Sequence, residues 1–179
     1  MSPSPNQLIA ALKARQDIQD VLVRYCRAAD RCDAALMKSC FHDDAVDDHG
    51  FFNGPASEFI DQAIPNLKER FVSTKHYLTN LYIKIDGAQA RSESYILGLL
   101  RKVEDGSKFD VTFSARYLDR LERRGGLWRI THRRLVSEGS RVDRVEAEEP
   151  RLMAGRAGAR GTGDPSQALF GDLTAAAKP

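Results

Sequence analysis

Apolar residues recur with helical spacing in the N-terminal part of the chain. They occupy positions i, i+3, i+4 and i+7 of one stripe, which predicts an amphipathic helix from about residue 6 to residue 31. The stripe consists of Ile18, Val21, Leu22, Tyr25, Cys26 and Ala29. Asp30 follows the stripe directly, so a carboxylate is expected at the C-terminal end of this helix.

Two shorter helices are predicted next. Asp33 can cap a helix that runs to about Cys40, because an aspartate oxygen accepts a hydrogen bond from the first free N–H groups. The segment Asn53-Gly54-Pro55 is expected to open a third helix, in which Pro65 should cause a kink or an early end. The apolar positions of the third helix are Phe59, Ile60, Ala63 and Leu67.

From Lys75 the pattern changes to β-rich runs separated by turn signals. The turns Asp86-Gly87, Asp105-Gly106 and Gly125-Gly126 divide segments near 75–85, 89–103, 109–123 and 127–138. These segments predict a four-stranded antiparallel meander. Long strands in a small sheet coil strongly, so the helices should lie on the concave side of a curved sheet. Helices followed by a meander favour an α+β fold with a pocket inside the curve.

The composition changes after Gly139 to Arg, Ala, Gly, Pro and Glu without periodicity. We therefore expect one domain at residues 1–140 and an irregular tail at 141–179. Within the tail, Asp164-Pro165-Ser166 with the apolar pair Leu169 and Phe170 could fold over a pocket mouth or onto a neighbouring subunit.

Size and charge narrow the classes of function. A chain of 179 residues is one ordinary domain, and 27 basic against 25 acidic side chains leave a net charge of only +2. This weak bias argues against nucleic acid or an anionic membrane as partner. No apolar run is long enough to cross a bilayer, and the N-terminus lacks the pattern of a signal peptide, so a cytoplasmic location is expected.

Neither the cysteines nor the acidic segment at 42–50 requires a metal. Cys26, Cys32 and Cys40 are odd in number and lack Cys-x-x-Cys spacing, which predicts buried or half-buried thiols rather than a disulfide framework or a zinc site. The segment HDDAVDDHG has metal-binding residue types, but a solvated, turn-rich loop accounts for it. We expect no metal and no other cofactor. His49 could still face the cavity, and Asp47 shares its parity if the segment is extended.

Three ionisable residues fall where helix and sheet should meet. Asp30 ends the first helix, His76 begins the first meander strand, and Tyr25 lies about one turn before Asp30. A histidine oriented by a carboxylate is a common general base, because the carboxylate fixes the tautomer and stabilises the imidazolium. The alternative is a structural histidine with satisfied hydrogen bonds at a helix–sheet junction.

Three stretches carry a resemblance to a known family: IQDVLVRYCRAADRCD at 18–33, KHYLTN at 75–80 and RYLDRLERRGGLWRITHRRLV at 116–136. Over residues 10–140 the chain resembles the SnoaL-like branch of the nuclear transport factor 2-like superfamily. Within that branch it is similar to hexachlorocyclohexane dehydrochlorinase, scytalone dehydratase and bile-acid 7α-dehydratase. The resemblance implies a cystatin-like fold with a conical pocket.

The resemblance also implies roles for four residues. Asp30 and His76, with Thr79-Asn80 behind the histidine, match a catalytic dyad, and Tyr25 matches a catalytic tyrosine. Arg133, five residues after Trp128, matches an arginine that assists the leaving group. Plain strand alternation from Trp128 places Arg133 on the opposite face, whereas a bulge near Thr131 would re-aim it.

These observations predict a cofactor-independent lyase or isomerase, dehydratase-like or dehydrochlorinase-like, acting on a hydrophobic and cyclic small molecule. His76 would remove a proton, Asp30 would orient it, and Tyr25 and Arg133 would stabilise the leaving group or an enolate. The residues expected to contact substrate are His49, Phe52, Tyr95 and Phe113, and Phe41, Phe51, Leu97 and Leu99 are expected to form further walls of the pocket.

Other classes of function stay open beside this one. A non-catalytic module that binds a small molecule or supports assembly can use the same fold. The arginines of the last two strands are interspersed with acidic residues, which argues against an RNA-binding patch. The chain contains no phosphate loop, dinucleotide fingerprint or serine elbow. Apolar side chains on both faces of the meander predict a homodimer or homotrimer that associates through the outer sheet face.

Overall fold

The computed structural model describes residues 3–150, 155 and 158–176. The N-terminal part contains the helices α1 (Pro5–Arg31), α2 (Ala34–Lys38) and α3 (Ala56–Arg70). The sheet contains β1 (Phe41–Asp48), β2 (Asn53–Pro55), β3 (Ser73–Asp86), β4 (Gln89–Glu104), β5 (Ser107–Arg124) and β6 (Leu127–Arg144). A short 3₁₀ helix (Gly161–Gly163) and helix α4 (Pro165–Ala176) follow.

Helix α1 begins and ends at residues that its sequence specifies. Ser4 and Gln7 form a capping box, in which each side chain accepts a hydrogen bond from the other's backbone N–H, and Pro5 fits the first turn. The helix ends at Arg31, after which Cys32 adopts a left-handed conformation with φ 50°. The predicted apolar stripe is buried against the sheet, which confirms the helix and its inner face.

The two shorter helices confirm one prediction and correct another. Asp33 caps α2 by accepting the Leu36 N–H at 2.9 Å, as predicted. The prediction that Asn53-Gly54-Pro55 opens α3 is wrong, because these residues form β2 and the helix begins at Ala56. Pro65 lies inside α3 without ending it. The helix continues to Arg70 because Pro65 removes a single N–H donor, while Phe59, Ile60 and Ile64 hold the helix by their burial.

The sheet has six strands in the order β2-β1-β6-β5-β4-β3, so the predicted meander forms four of them. All neighbouring strands are antiparallel except β1 and β6, which are parallel. Strand β1 replaces the loop expected at 42–50. Its residues Phe41, Ala45 and Asp47 are buried, and a solvated loop would not bury them. The predicted α+β class with a curved, mainly antiparallel sheet is confirmed.

A bulge in β6 decides which side chains face the helices. Arg120 pairs with His132 and Leu121 pairs with Ile130, which leaves Thr131 as the extra residue. Before the bulge the even-numbered residues of β6 face the helices, and after it the odd-numbered residues do. Trp128, Ile130 and Arg133 are all buried on the helix side, so the assignment of Arg133 to the opposite face by plain alternation is corrected.

The segment after Gly139 contains regular structure. Strand β6 continues to Arg144, and beyond it Glu148 accepts hydrogen bonds from Arg101 and Lys108. Farther along, Asp164 accepts from Arg31 of α1 at 2.6 Å. Residues 151–154, 156–157 and 177–179 of the expected tail lie outside the described residues. Within the described part of the chain, no helix combines the length and the apolar character needed to cross a membrane.

Candidate active site

A cavity of about 270 Å³ lies between the helices and the inner face of the sheet. This volume is just below the usual range for small-molecule sites, roughly 300–1,000 Å³, and therefore suits a compact ligand. Most of the wall is apolar or aromatic. Two of its polar groups are His49, which follows the end of β1, and His76, which lies near the start of β3. The apolar and aromatic wall includes Tyr25, Ala29, Met37, Phe51, Phe59, Leu100, Phe113, Tyr117 and Leu135.

Asp30 and His76 meet at the junction of α1 and β3. The Nδ1–H group of His76 donates to Oδ1 of Asp30 at 2.7 Å, and the His76 backbone N–H donates to Oδ2 at 3.0 Å. Both side chains are largely buried, with 9% and 14% exposure for His76 and Asp30. Both carboxylate oxygens of Asp30 accept hydrogen bonds from His76, so Asp30 fixes the orientation and the tautomer of the imidazole ring. Nε2 of His76 is then the ring nitrogen that can act in the cavity.

His76 belongs to a row of three residues that crosses neighbouring strands. Gly98 of β4 pairs with His76 on one side and with Phe113 of β5 on the other. The Phe113 ring lies over Gly98, where an added Cβ would be 1.9 Å from a ring carbon, and it meets the His76 ring edge-on at 5.8 Å. Gly98 was not predicted from sequence. A glycine inside an otherwise regular strand was the available signal for a close approach of this kind.

Arg133 lies beneath the cavity instead of lining it. Its guanidinium donates two hydrogen bonds to Asp119, both at 2.8 Å, and it is stacked between the rings of Tyr25 and Tyr117 at 4.0 and 3.9 Å. Burial is the largest single effect and lowers the pKa of Arg133, but Asp119 and the two tyrosines together outweigh it, so the pKa stays well above its ordinary value. Arg133 is therefore a fixed cation.

The two tyrosines on this cation keep their protons. Burial raises the pKa of Tyr25 well above its ordinary range, and the nearby Asp47 raises it further, while Arg133 opposes the shift. The pKa of Tyr117 is raised mainly by burial as well. Tyr25 lines the cavity, so its hydroxyl can act there as a hydrogen-bond donor.

A second histidine–carboxylate pair faces the same cavity. Nδ1–H of His49 donates to Oδ1 of Asp47 at 2.5 Å, and the His49 ring stacks on Phe59 with a centroid distance of 4.0 Å. Asp47 is completely buried at the end of β1. The sequence placed both residues on one face of an extended segment, and the structure brings their side chains into contact.

Helix α3 supplies a polar wall that was not predicted. Gln62, Asn66 and Arg70 are spaced four residues apart and line the cavity together. The i, i+4 spacing of these polar residues is visible in the sequence, but the apolar stripe of the helix predicts only which positions face the interior. These groups give the mouth of the cavity hydrogen-bond donors and acceptors.

Some residues predicted to contact substrate lie elsewhere. Tyr95 and Leu97 point to the outer face of the sheet, each with 40% exposure, because the even-numbered residues of β4 face inward. Phe52 packs against Phe59 at 5.5 Å between ring centroids and does not line the cavity. Phe113 and His49 do line it. Phe41 contacts the Tyr25 ring edge-on and does not line the cavity. Leu99 lines a separate groove, which Asp30 also borders.

The cysteines are buried thiols, as predicted. Burial raises the pKa of Cys26 to about 12 and that of Cys40 to about 11, so neither forms a thiolate near neutral pH. In the part of the chain that the structure describes, no three His, Cys, Asp or Glu side chains are grouped to hold a metal ion.

Helices packed on a curved sheet enclose a small cavity with a histidine–carboxylate dyad, and this arrangement is typical of SnoaL-like domains. A SnoaL-like domain matches residues 10–134, so the chain belongs to this family. The resemblance to the SnoaL-like branch of the nuclear transport factor 2-like superfamily is thereby confirmed. A comparison with curated proteins gave no match.

Solved structures with this fold come from several bacteria. Hexachlorocyclohexane dehydrochlorinase of Novosphingobium barchaimii is 21% identical, with a TM-score of 0.66 over 79% of this chain and 96% of that one. A candidate scytalone dehydratase of Novosphingobium aromaticivorans is 19% identical, with a TM-score of 0.67 over 82% and 97%. A cystatin-like protein of unknown function from Nostoc punctiforme is 17% identical, with a TM-score of 0.58 over 78% and 97%. At these identities the similarity establishes the fold alone.

Proposed function

We propose that this protein is a cofactor-independent lyase or isomerase that acts on a compact, hydrophobic, cyclic small molecule. The observation that carries the proposal is the bidentate use of Asp30 by His76, which fixes the imidazole tautomer and leaves Nε2 for the substrate. His76 removes a proton from carbon, and Asp30 is a positioning residue that stabilises the imidazolium. The dehydrochlorinase and the candidate dehydratase among the similar structures support this reaction class.

Tyr25 and Arg133 divide the stabilisation of negative charge between them. The protonated Tyr25 hydroxyl donates a hydrogen bond to the enolate or leaving-group oxygen from the cavity wall. Arg133 acts through Tyr25, because its guanidinium stacks on that ring and opposes the rise that burial causes in the pKa of the Tyr25 hydroxyl, which makes this hydroxyl a stronger hydrogen-bond donor. Arg133 is therefore a positioning residue in this proposal.

Proton abstraction is tested by hydrogen–deuterium exchange into a panel of cyclic ketones, together with product formation from their hydroxylated and chlorinated derivatives. His76→Ala should lower both rates by about 10²–10⁴-fold while the circular dichroism spectrum stays unchanged. Asp30→Asn should keep the shape of the site and still lower the rate by about 10²–10⁴-fold. His132→Gln is the matched control, because His132 lies on the outer face. Equal rates in His76→Ala and the parent, with ligand binding retained, would favour the non-catalytic binding module.

A further inference from the structure

Three cationic side chains lie side by side on the outer face of the sheet, on the side away from the cavity. Lys84 of β3 pairs directly with Arg91 of β4, and Arg91 pairs in turn with Arg120 of β5. All three are exposed, and together they form a cationic row. Directly opposed residues are about 5 Å apart, so Arg91 has a like charge close by on either side. Such contacts destabilise a sheet unless an anion neutralises them.

The cationic row has no counter-ion of its own. Within the part of the chain that the structure describes, none of its three side chains forms an ion pair. Most other charged groups of this surface are already paired, namely Glu93 with Arg116, Glu122 with Arg124, and Arg134 with Asp48. One carboxylate is left, that of Asp86 at the end of β3. Three arginine and lysine cations against one carboxylate leave a local excess of two positive charges.

Strand alternation separates charges that are mixed along the chain. Asp119 directly precedes Arg120, but its side chain points inward and accepts two hydrogen bonds from Arg133. Arg120 is exposed on the other face. Asp119 therefore does not neutralise the cationic row, and the outer face carries more local charge than the sequence indicates.

Two open grooves meet at the cationic row. Their volumes are about 470 and 730 Å³, and all three cations contribute to the lining of both. Each volume lies within the usual range for small-molecule sites, roughly 300–1,000 Å³. A bare inorganic ion would fill only a small part of either groove. The space therefore suits an organic molecule that carries an anionic group.

An exposed aromatic ring stands beside the cationic row. Tyr82 lies two residues before Lys84 on the same face of β3, is 60% exposed and lines the smaller groove. The Nζ atom of Lys84 is 5.8 Å from the centre of the Tyr82 ring. This ring offers a flat surface on which the ring of a ligand can stack while the cations hold its anionic group.

We propose that this surface binds the phosphate monoester of a small organic molecule that contains a flat ring. A phosphate monoester carries about −1.5 to −2 charges at neutral pH, which matches the local excess of positive charge. Its three terminal oxygens can accept hydrogen bonds from neighbouring strands at the same time, and a guanidinium can bind two of them in parallel. The phosphodiesters of nucleic acid carry a single charge each and match the surface less well.

This site is independent of the proposed lyase function, because it lies on the opposite face of the sheet from the cavity. It is also compatible with association of copies through the apolar part of the outer face. Leu97 belongs to that part and is six residues from Arg91 along β4, about 20 Å at roughly 3.3 Å per residue.

Calorimetric titration of the full chain with adenosine monophosphate, at constant ionic strength, tests the proposal. Inorganic phosphate should bind about 5–100-fold more weakly than this nucleotide, and adenosine should give no measurable binding. Arg91→Gln should weaken nucleotide binding by about 10–100-fold, because it removes charge-assisted hydrogen bonds to the phosphate. Tyr82→Ala should reduce nucleotide affinity to that of inorganic phosphate. Arg141→Gln is the matched control, because it removes the same charge from an exposed arginine elsewhere on the sheet, and it should leave the affinity unchanged.

Thermal unfolding gives a second readout, part of which needs no ligand. Arg91→Gln should raise the Tm of the free protein by about 1–4 °C, because it removes two contacts between like charges, whereas Arg141→Gln should not raise it. The nucleotide should raise the Tm of the parent but not that of Arg91→Gln.

Three results would overturn the inference. The first is equal nucleotide affinity in Arg91→Gln and the parent. The second is a Tm increase that sodium chloride reproduces at the same ionic strength, because this would show general charge screening instead of a site. The third is tighter binding of a short single-stranded oligonucleotide than of adenosine monophosphate, because nucleic acid would then be the partner of the cationic row.

Discussion

At the residue scale, a single glycine limits what can surround the proposed base. The Phe113 ring occupies the space above Gly98, and the same ring contacts His76. No β-carbon fits at position 98 without movement of that ring. The orientation of His76 therefore depends on Asp30 from the helix side and on the Gly98 and Phe113 pair from the sheet side.

Gly98→Ala should displace the Phe113 ring and reduce stability by about 1–3 kcal/mol through overpacking. The rate of proton abstraction should fall with it, because the His76 ring loses its edge-on contact. Urea denaturation and the exchange assay measure the two effects. Ser92→Ala, also on the inner face of β4, is the control, and Gly98→Ala/Phe113→Leu should recover stability. An alanine variant as stable as the parent would show that the ring moves freely.

The buried ion pair of Arg133 and Asp119 gives a second prediction at this scale. Arg133→Met leaves the carboxylate of Asp119 buried without its partner and should lower the free energy of unfolding by about 3–5 kcal/mol. Arg133→Met/Asp119→Leu should regain most of that loss, because both charges are then removed. Urea denaturation measures the free energy of unfolding of the two variants. Equal values for both would show that the unpaired Asp119 carboxylate is not destabilising, which would contradict this prediction.

At the scale of elements, the segment after β6 contacts the helices that enclose the cavity. Arg160 donates from Nη1 to the backbone carbonyls of Leu67 and Phe71 at 3.0 and 2.6 Å. Leu67 and Phe71 also line the cavity at the end of α3. Through these bonds the segment at 158–176 can influence the cavity without entering it.

A chain that ends at Glu149 should fold and should bind ligands differently. It keeps all of β6 and the ion pairs of Glu148, but it loses the bonds from Arg160 to the end of α3 and from Asp164 to Arg31. A small fall in Tm and a changed ligand affinity are expected, measured by thermal unfolding and calorimetry. Arg160→Ala in the full chain should reproduce the affinity change. If the shortened chain does not fold, the removed segment contributes to the core, which would contradict this prediction.

At the scale of the whole molecule, the outer face of the sheet presents aromatic and aliphatic groups to solvent. Tyr77, Tyr95 and Leu97 are each at least 40% exposed there, and Tyr77 and Leu97 are direct cross-strand partners. Arg116 lies over the Tyr95 ring and pairs with Glu93 and Glu138 at the same surface. An apolar patch edged by charged groups favours association between copies of the chain.

We expect a homodimer or homotrimer in solution, and Leu97→Lys should shift it toward the monomer. A buried lysine at the interface would lose hydration without gaining a partner. Light scattering at micromolar concentration measures the mass of parent and variant. Leu127→Lys, an exposed change at the β5–β6 turn, should leave the mass unchanged. A monomeric parent would refute association through this face.

The sequence alone determined the features that depend on local pattern. Helical spacing set α1 and its buried face, and the turn signals set the four strands from β3 to β6, because both signals arise within one continuous segment. Motif spacing selected Asp30 and His76, and the structure places the two side chains in contact.

Tertiary structure alone decided the features that depend on two distant segments. Residues 41–48 form strand β1 because they pair with β6 in parallel. Arg133 faces inward because the pairing of β6 with β5 contains a bulge at Thr131. The close fit of Gly98 to Phe113 likewise arises between strands. Cross-strand register and burial are non-local, so residue types along a single segment do not determine them.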